Sequence, residues 1–302
     1  MAHFRFVFRY LCNMNTRFAG LSPLLLGLMV MIGALVLGSC ATQREGCNYK
    51  AVVTIEPLRF FAEQLAGPRW EIKTIVPKGF SPEEFMPTVK QMAEVAEACC
   101  LFKVGNLGFE TTMLSDAEVM GEGLRVADTS EGLGASGLDP HTWTSPSGAL
   151  TICRNITKTL VELDPANAKE YQERLHVTTE CIQSLDSLLR SLTKDLPSRS
   201  FVIAHPALSR FASDYGLRQI AIESEGKEPT PNSIRTLVAL AKREDVRVIF
   251  VQQEFSENTA LVVASETGAH LVCVNPLAYE WPEQLLLIAK SLRDGQTDAT
   301  TD

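Results

Sequence analysis

The sequence predicts an α/β protein with two lobes, each with a small parallel sheet flanked by helices, bridged by one long rigid helix. Short β-branched runs alternate with amphipathic stretches of helical length in residues 49–163 and again in residues 198–295. Between them, residues 166–196 contain neither glycine nor proline, and apolar side chains recur there at helical spacing. A helix of that length spans about 45 Å, so residues 164–197 are predicted to be a rigid linking helix rather than a flexible linker.

Residues 1–39 have the pattern of a secretory signal. An apolar run at 21–37 follows a basic residue and ends with small residues before Cys40. This pattern predicts a lipoprotein-type signal peptide that is cleaved before Cys40, and lipidation of that cysteine. An uncleaved membrane anchor is the alternative, because the run is about long enough to cross a bilayer. Met14 is the expected true start, and residues 40–48 are predicted to be a polar, lipid-anchored tether.

Charge and cysteine content narrow the class of protein. Without the three arginines of the predicted signal peptide, 25 of the 28 basic residues remain against 36 acidic ones, a net charge of −11. Such a surface repels nucleic acid and anionic lipid headgroups. No C-x-x-C spacing of a thiolate zinc site or a thioredoxin motif occurs. Cys99, Cys100, Cys153 and Cys273 lie in apolar runs and are predicted to be core thiols, and disulfide pairing cannot be read from the sequence.

The first lobe is predicted to begin with a strand and a helix. The β-branched run at 50–55 predicts the strand. Pro57 suits the first turn of a helix at 57–65, and Leu58 and Phe61 would share its buried face. The other elements predicted in this lobe are strands at 71–76, 100–104 and 124–127, and helices at 88–98, 108–120 and 147–163.

The second lobe repeats the alternation. Gly268 suits the end of a helix at 257–267, because glycine readily adopts the left-handed conformation that ends many helices. Strands are predicted at 201–204, 217–222, 246–251 and 270–274, and helices at 207–215, 232–243, 257–267 and 281–293. Residues 296–302 are polar and predicted to be a disordered tail.

Polar side chains that could bind a ligand follow the predicted strands. In parallel α/β sheets, ligands collect beyond the carboxyl ends of the strands. Two histidines and several carboxylates, drawn from both lobes, suit a borderline divalent cation such as Zn²⁺ or Mn²⁺. The candidates are Glu83, Glu84, His141, His205, Glu223, Glu225, Gln252, Glu254 and Asn275.

Several of these candidates also have an ordinary structural interpretation. His141 lies in a stiff segment between Pro140 and Pro146, where a histidine beside a tryptophan could simply pack. His205 could cap the helix that follows it, and Glu83 could be a solvated acid near the start of a helix.

Four motifs together resemble those of one protein family. They are S-P-E-E-F-M-P-T at 81–88, D-P-H-T-W at 139–143, H-P-A at 205–207 and V-Q-Q-E-F at 251–255. In order and wording they resemble the metal-binding lipoproteins of bacterial ABC importers, the zinc- and manganese-uptake solute-binding proteins of the cluster A-I type. The resemblance covers essentially the whole chain after the predicted signal peptide. It implies two α/β lobes bridged by one rigid helix, with a metal ion buried in the cleft between them.

The resemblance implies Glu83, His141 and His205 as metal ligands. Most members of the family have histidine at the position of Glu83, so the metal preference is open. The aspartate that manganese-type members use as a further ligand has no counterpart here. A water molecule, Glu225 or Glu254 would then complete the site.

The function that the resemblance implies is metal binding without catalysis. The protein would lie in the cell envelope, anchored through Cys40 to a membrane and facing the periplasm or the exterior. It would capture a divalent transition metal ion, Zn²⁺ ahead of Mn²⁺ or Fe²⁺, and deliver it to an ABC permease. Two other interpretations are a lipoprotein or adhesin that keeps the fold without the metal, and a secreted zinc hydrolase. The H-E-x-x-H helix of many zinc hydrolases is absent from the sequence.

Overall fold

Two separate four-stranded parallel sheets form the framework of the computed structural model, which describes residues 48–112, 123–133, 139–223 and 229–295. The first sheet has the order β2-β1-β3-β4 and the second the order β6-β5-β7-β8, and every neighbouring pair of strands is parallel. The strands are β1 (Lys50–Val53), β2 (Glu71–Thr74), β3 (Cys100–Lys103), β4 (Arg125–Asp128), β5 (Ser200–Ile203), β6 (Arg218–Ala221), β7 (Val248–Gln252) and β8 (His270–Val274). The predicted fold class is confirmed, and each strand boundary lies within two residues of its prediction.

Helices flank both sheets. Those described in the first lobe are α1 (Glu56–Ala66), α2 (Val89–Ala96), α3 (Gly108–Thr112) and α4 (Pro146–Leu163), and residues 113–120 of the predicted third helix lie outside the described residues. As predicted, Pro57 lies in the first turn of α1, and Leu58 and Phe61 are buried. The side chain of Thr88 caps α2 by accepting a hydrogen bond from Gln91 N, and Gln91 bonds back to Thr88 N.

One long helix, α5 (Ala168–Thr193), follows the first lobe. Its 26 residues span about 39 Å. The observed helix begins later than the predicted linking helix at 164–197, because Pro165–Asn167 form a 3-10 turn in which the Asp164 carboxylate accepts a hydrogen bond from Asn167. One side of α5 is buried and packs on α1, on α4 and on the last helix of the second lobe. A helix held along its length in this way acts as a strut.

The helices of the second lobe are α6 (Ser209–Asp214), α7 (Pro231–Arg243), α8 (Asn258–Thr267) and α9 (Trp281–Asp294). Gly268 ends α8 in the left-handed conformation with φ of 74°, as predicted from the sequence. The central strands β5 and β7 are buried throughout, whereas the edge strand β8 exposes His270 and Cys273.

The predicted core thiols divide into two groups. Cys100 and Cys153 are buried and free, as expected. Cys273 is exposed, because β8 lies at the edge of its sheet, and Cys99 is disulfide-bonded, as is Cys181. The prediction of a buried free thiol is therefore wrong for Cys273 and Cys99.

Direct contacts join the two lobes. Trp281 at the start of α9 packs edge-on against Phe61, with ring centroids 4.9 Å apart. The Tyr279 hydroxyl donates a hydrogen bond to Glu63, and the Trp281 indole donates one to the carbonyl oxygen of Trp143. The Trp143 indole in turn donates to the carbonyl of Pro276, at 2.9 Å. These contacts hold the carboxyl ends of the two sheets against each other.

Several predictions fall on residues outside the described ranges. These are the signal peptide at 1–39, lipidation at Cys40, nearly all of the tether, Glu225 and the tail at 296–302. Within the described residues, no helix combines the length and apolar character needed to cross a bilayer.

Candidate metal centre

The structure brings together three predicted ligands from both lobes. Glu83 follows β2, His141 follows β4 and His205 follows β5, so all three lie beyond the carboxyl ends of strands. One donor atom from each lies within 4.8 Å of the other two. The Glu83 Oε1 atom is 3.0 Å from His205 Nε2 and 3.8 Å from His141 Nε2, and the two Nε2 atoms are 3.1 Å apart.

His141 is held by its own short segment. The Asp139 carboxylate accepts a hydrogen bond from the His141 backbone N–H at 3.0 Å and lies 2.7 Å from His141 Nδ1. The Thr144 hydroxyl donates to the His141 carbonyl, and the histidine is only 6% exposed. Burial alone would raise the pKa of Asp139, but the hydrogen bond and the charge of His141 outweigh burial and lower it. This pairing favours the tautomer that carries its proton on Nδ1, toward Asp139, and that directs the Nε2 lone pair at the cluster.

His205 is fixed by three neighbours. Gln252 pairs with its backbone in both directions, accepting from His205 N at 3.2 Å and donating to His205 O at 2.6 Å. The Glu223 carboxylate lies 2.5 Å from His205 Nδ1, and the Phe255 ring stacks on the imidazole with the two planes 6° apart. Burial opposes protonation of His205, but its contacts with Glu83 and Glu223 outweigh burial and raise its pKa.

Glu83 is the most exposed of the three, with 36% of its side chain accessible. Its backbone N–H donates to Ser81 Oγ at 3.3 Å, which forms a local turn that orients the loop. Burial alone would raise the pKa of the Glu83 carboxyl. The contact with His205 and the charges of both histidines outweigh burial, so the pKa is lowered. Glu83 is therefore an ionised donor that faces both imidazoles.

The three donors converge in a way that requires a positive charge between them. With both Nδ1 atoms protonated, two nitrogen lone pairs and one carboxylate oxygen point at a common centre, and they repel one another unless a cation or a proton lies among them. For a tetrahedral Zn²⁺ site with bonds of 2.0–2.1 Å, neighbouring donors lie about 3.3 Å apart. The observed separations of 3.0, 3.1 and 3.8 Å scatter around that value. The residues present fit a zinc ion.

The space beside the donors is small. A cavity of about 30 Å³ is lined by the three donor residues together with Trp143, Glu254 and Phe255, among others. By this measure it holds roughly one or two water molecules. A metal ion held by Glu83, His141 and His205 thus has room for a water molecule or one further side chain as a fourth ligand.

Of the two further predicted ligands, Glu254 is not in the cluster and Glu225 cannot be placed. Glu254 lines the cavity, but its carboxylate is not among the donor atoms that lie within 4.8 Å of one another, and burial raises its pKa. Glu225 lies outside the described residues. Among the described residues of this acidic loop, Glu223 contacts the far side of His205. The sequence did not predict Asp139 or Glu223 as histidine partners, although Glu223 lies two residues after the end of β6.

A buried carboxylate near the Glu83 loop has a structural role. Glu110 is fully buried and accepts hydrogen bonds from the backbone N–H groups of Val104 and Gly105, at 2.8 and 2.7 Å. Burial raises its pKa, and these hydrogen bonds offset part of the effect. Glu110 thus holds the turn after β3. The neighbouring Phe109 packs against Phe85, which lies two residues after Glu83, with ring centroids 5.4 Å apart.

Comparison with known proteins identifies the family. Residues 51–286 match the family described as "ZnuA: Zinc-uptake complex component A periplasmic". The high-affinity zinc uptake system protein ZnuA of Bacillus subtilis is 29% identical over 255 residues, which cover 77% of this chain and 80% of that protein. The iron-binding protein YfeA of Yersinia pestis is 29% identical over 234 residues, 74% of this chain and 75% of its own length.

A solved structure agrees with this match. A crystal structure of ZnuA superposes with a TM-score of 0.77 at 30% identity, covering 81% of this chain and 98% of that one. The family match spans well over half of the chain, and the paired parallel sheets with their long helix have the same fold. The chain belongs to the ZnuA family of metal-binding proteins of bacterial uptake systems.

Proposed function

We propose that this chain is an extracytoplasmic binding protein that captures one Zn²⁺ ion between its lobes and delivers it to an ABC permease. The observation that carries the proposal is the convergence of Glu83, His141 and His205, with a carboxylate on the far nitrogen of each imidazole. Such carboxylate–histidine pairs orient metal-binding imidazoles and raise their basicity. The similarity to a zinc uptake protein supports the same cargo.

Zinc is preferred over manganese and iron on chemical grounds. Two imidazoles and one carboxylate form a site that binds Zn²⁺ more tightly than Mn²⁺ or Fe²⁺ in the Irving–Williams order. The small cavity also favours four ligands over the six of an octahedral ion. A water molecule completes the site in this proposal, with Glu254 or Glu225 as the alternative fourth ligand.

The N-terminal sequence supports a location at a membrane surface. We propose cleavage of residues 1–39 and lipidation at Cys40, which would hold the protein at a membrane surface near its permease. A single acyl chain gives marginal attachment, so stable anchoring requires more than one. The tether at 40–48, the lobes at 49–163 and 198–295, and the linking helix at 164–197 complete this proposed organisation.

Elemental analysis of metal-replete protein tests the proposal. One tightly held divalent ion per chain is expected in the wild type, with Zn²⁺ displacing Mn²⁺ in competition. The His141→Ala and His205→Ala variants are expected to lose the ion, while His176→Ala, which alters an exposed histidine on α5, retains it. A wild-type protein that retains no metal would overturn the proposal.

A further inference from the structure

A second cavity lies beside the metal centre, and the proposed site does not use it. Its volume is about 150 Å³, and it lies between the start of α1, the segment after β2, and the segments after β7 and β8. Its polar lining residues include Glu56, Lys78, Gln253, Glu254, Asn275 and Tyr279. It therefore lies between the two lobes, at the same end of the sheets as the three donors.

Glu254 belongs to both cavities. Together with Leu277, it lines the 150 Å³ cavity and also the 30 Å³ cavity that holds the donors. Its charge acts on His205, although its carboxylate is not one of the three clustered donors. Glu254 thus lies where an ion would leave one cavity and enter the other.

Three carboxylates and one lysine line the larger cavity, namely Glu56, Glu254, Glu280 and Lys78. Glu56 is paired with Arg59, whose guanidinium also lies 4.3 Å from the centre of the Tyr279 ring. Within the described ranges, no lysine or arginine forms an ion pair with Glu254, and His205 is the one charged neighbour that lowers its pKa. A half-buried carboxylate of this kind attracts a cation more strongly than one at a fully solvated surface.

The sizes of the two cavities require a change in hydration. A cavity of 150 Å³ accommodates several water molecules, whereas 30 Å³ accommodates only one or two. A divalent cation can enter the first with most of its water shell, but it has to lose most of that shell to reach the three donors. Losing water is costly unless a protein oxygen replaces each water as it leaves.

We propose that a hydrated divalent cation enters through the larger cavity and that Glu254 binds it transiently before it reaches Glu83, His141 and His205. A carboxylate oxygen of Glu254 replaces one coordinated water molecule, which leaves to solvent. The donors of the cluster then displace further water molecules and finally the Glu254 oxygen. This role rests on the proposed function and makes Glu254 a residue of the entry route and not a resident ligand.

Stopped-flow measurement of Zn²⁺ binding to the full chain tests this role. The fluorescence of Trp143, whose ring centre is 5.3 Å from that of His141, provides a signal. Glu254→Gln is expected to lower the association and dissociation rate constants alike, each on the order of tenfold, with little change in Kd. The matched control is Glu257→Gln, which removes the same charge from an exposed residue outside both cavities and should leave both rates unchanged.

The possible outcomes separate the entry route from other roles. A Glu254→Gln variant that keeps the wild-type association rate would overturn the proposal. If that variant also released the ion faster, Glu254 would be a resident ligand instead. If Glu257→Gln slowed Zn²⁺ binding and release as much as Glu254→Gln does, the effect would come from the overall negative charge, and the proposal would be overturned. If the wild type did not bind Zn²⁺, the proposed function itself would be wrong.

Discussion

Each candidate metal-binding histidine is paired with a carboxylate on its far nitrogen, His141 with Asp139 and His205 with Glu223. These partners fix the orientation of the rings, so the donors of the cluster are in place before an ion arrives. Organisation in advance of binding reduces the entropy that is lost when the ion is held. The Glu223 pairing joins two neighbouring strand ends, whereas Asp139 acts within the His141 segment.

Replacement of Glu223 tests the importance of this pairing. Glu223→Gln keeps the shape of the side chain and a hydrogen-bond acceptor but removes the charge that makes the imidazole more basic. We expect the affinity for Zn²⁺ to fall by about 10–100-fold, measured by competition with a chelator of known affinity. Glu84→Gln, an exposed residue next to Glu83, is the control and should bind as the wild type does. Equal affinities for Glu223→Gln and the wild type would show that the Glu223 carboxylate does not contribute to Zn²⁺ binding.

Single residues of the centre were predictable where a strand end and a family motif coincide. Glu83, His141 and His205 meet both conditions, and the structure brings their side chains together, although their assignment as ligands stays a prediction. The partner of His205 was not predictable, because Glu223 and Glu225 lie in one acidic loop and spacing alone does not tell which faces the ring. Asp139 was missed as a partner because its role depends on how the His141 ring turns back on its own segment.

Among the secondary-structure elements, the 3-10 turn Thr142–Thr144 links His141 to the start of α4. The turn is closely packed against Gly148, where an added Cβ would lie 1.8 Å from the carbonyl oxygen of Thr142. Ser145 caps α4 by accepting a hydrogen bond from Gly148 N. The position of His141 therefore depends on the absence of a side chain at residue 148.

Gly148→Ala is expected to displace this turn and with it His141. The clash involves backbone atoms, so we expect a loss of about 1–3 kcal/mol in the free energy of unfolding, measured in urea, together with weaker Zn²⁺ binding. Gly108→Ala is the matched control at another helix start, because its added Cβ would meet the Glu83 carbonyl at an ordinary 3.9 Å. Unchanged stability and affinity in Gly148→Ala would show that the turn accommodates the methyl group.

The strands and helices were predictable because apolar runs, prolines and glycines mark their ends. Sheet order was not, since edge and central strands both appear as apolar runs in the sequence. Cys273 shows the difference, because its strand is as apolar as β7 but lies at the edge of the sheet, where its side chains are less covered. The start of the long helix also differs from its prediction, because the hydrogen bonds of Asp164 favour a 3-10 turn there.

Over the whole molecule, the proposed ion would join the two lobes. Glu83 and His141 belong to the first lobe and His205 to the second, next to the contacts between Trp143, Trp281 and Pro276. An ion bound only to the folded state stabilises it by about 4 kcal/mol when its free concentration is 1,000 times Kd. Thermal unfolding should therefore shift upward with Zn²⁺ in the wild type and not in His205→Ala. A zinc-induced shift that persists in His205→Ala would place the ion elsewhere.

Anomalous diffraction at the zinc absorption edge, from crystals of the zinc-loaded protein, tests whether the three clustered donors hold the ion. We expect one strong peak per chain between the lobes, within about 2.0–2.2 Å of Glu83 Oε1, His141 Nε2 and His205 Nε2. A fully occupied peak that lies away from these three atoms would contradict this assignment of the ligands, as would zinc-loaded crystals with no peak between the lobes.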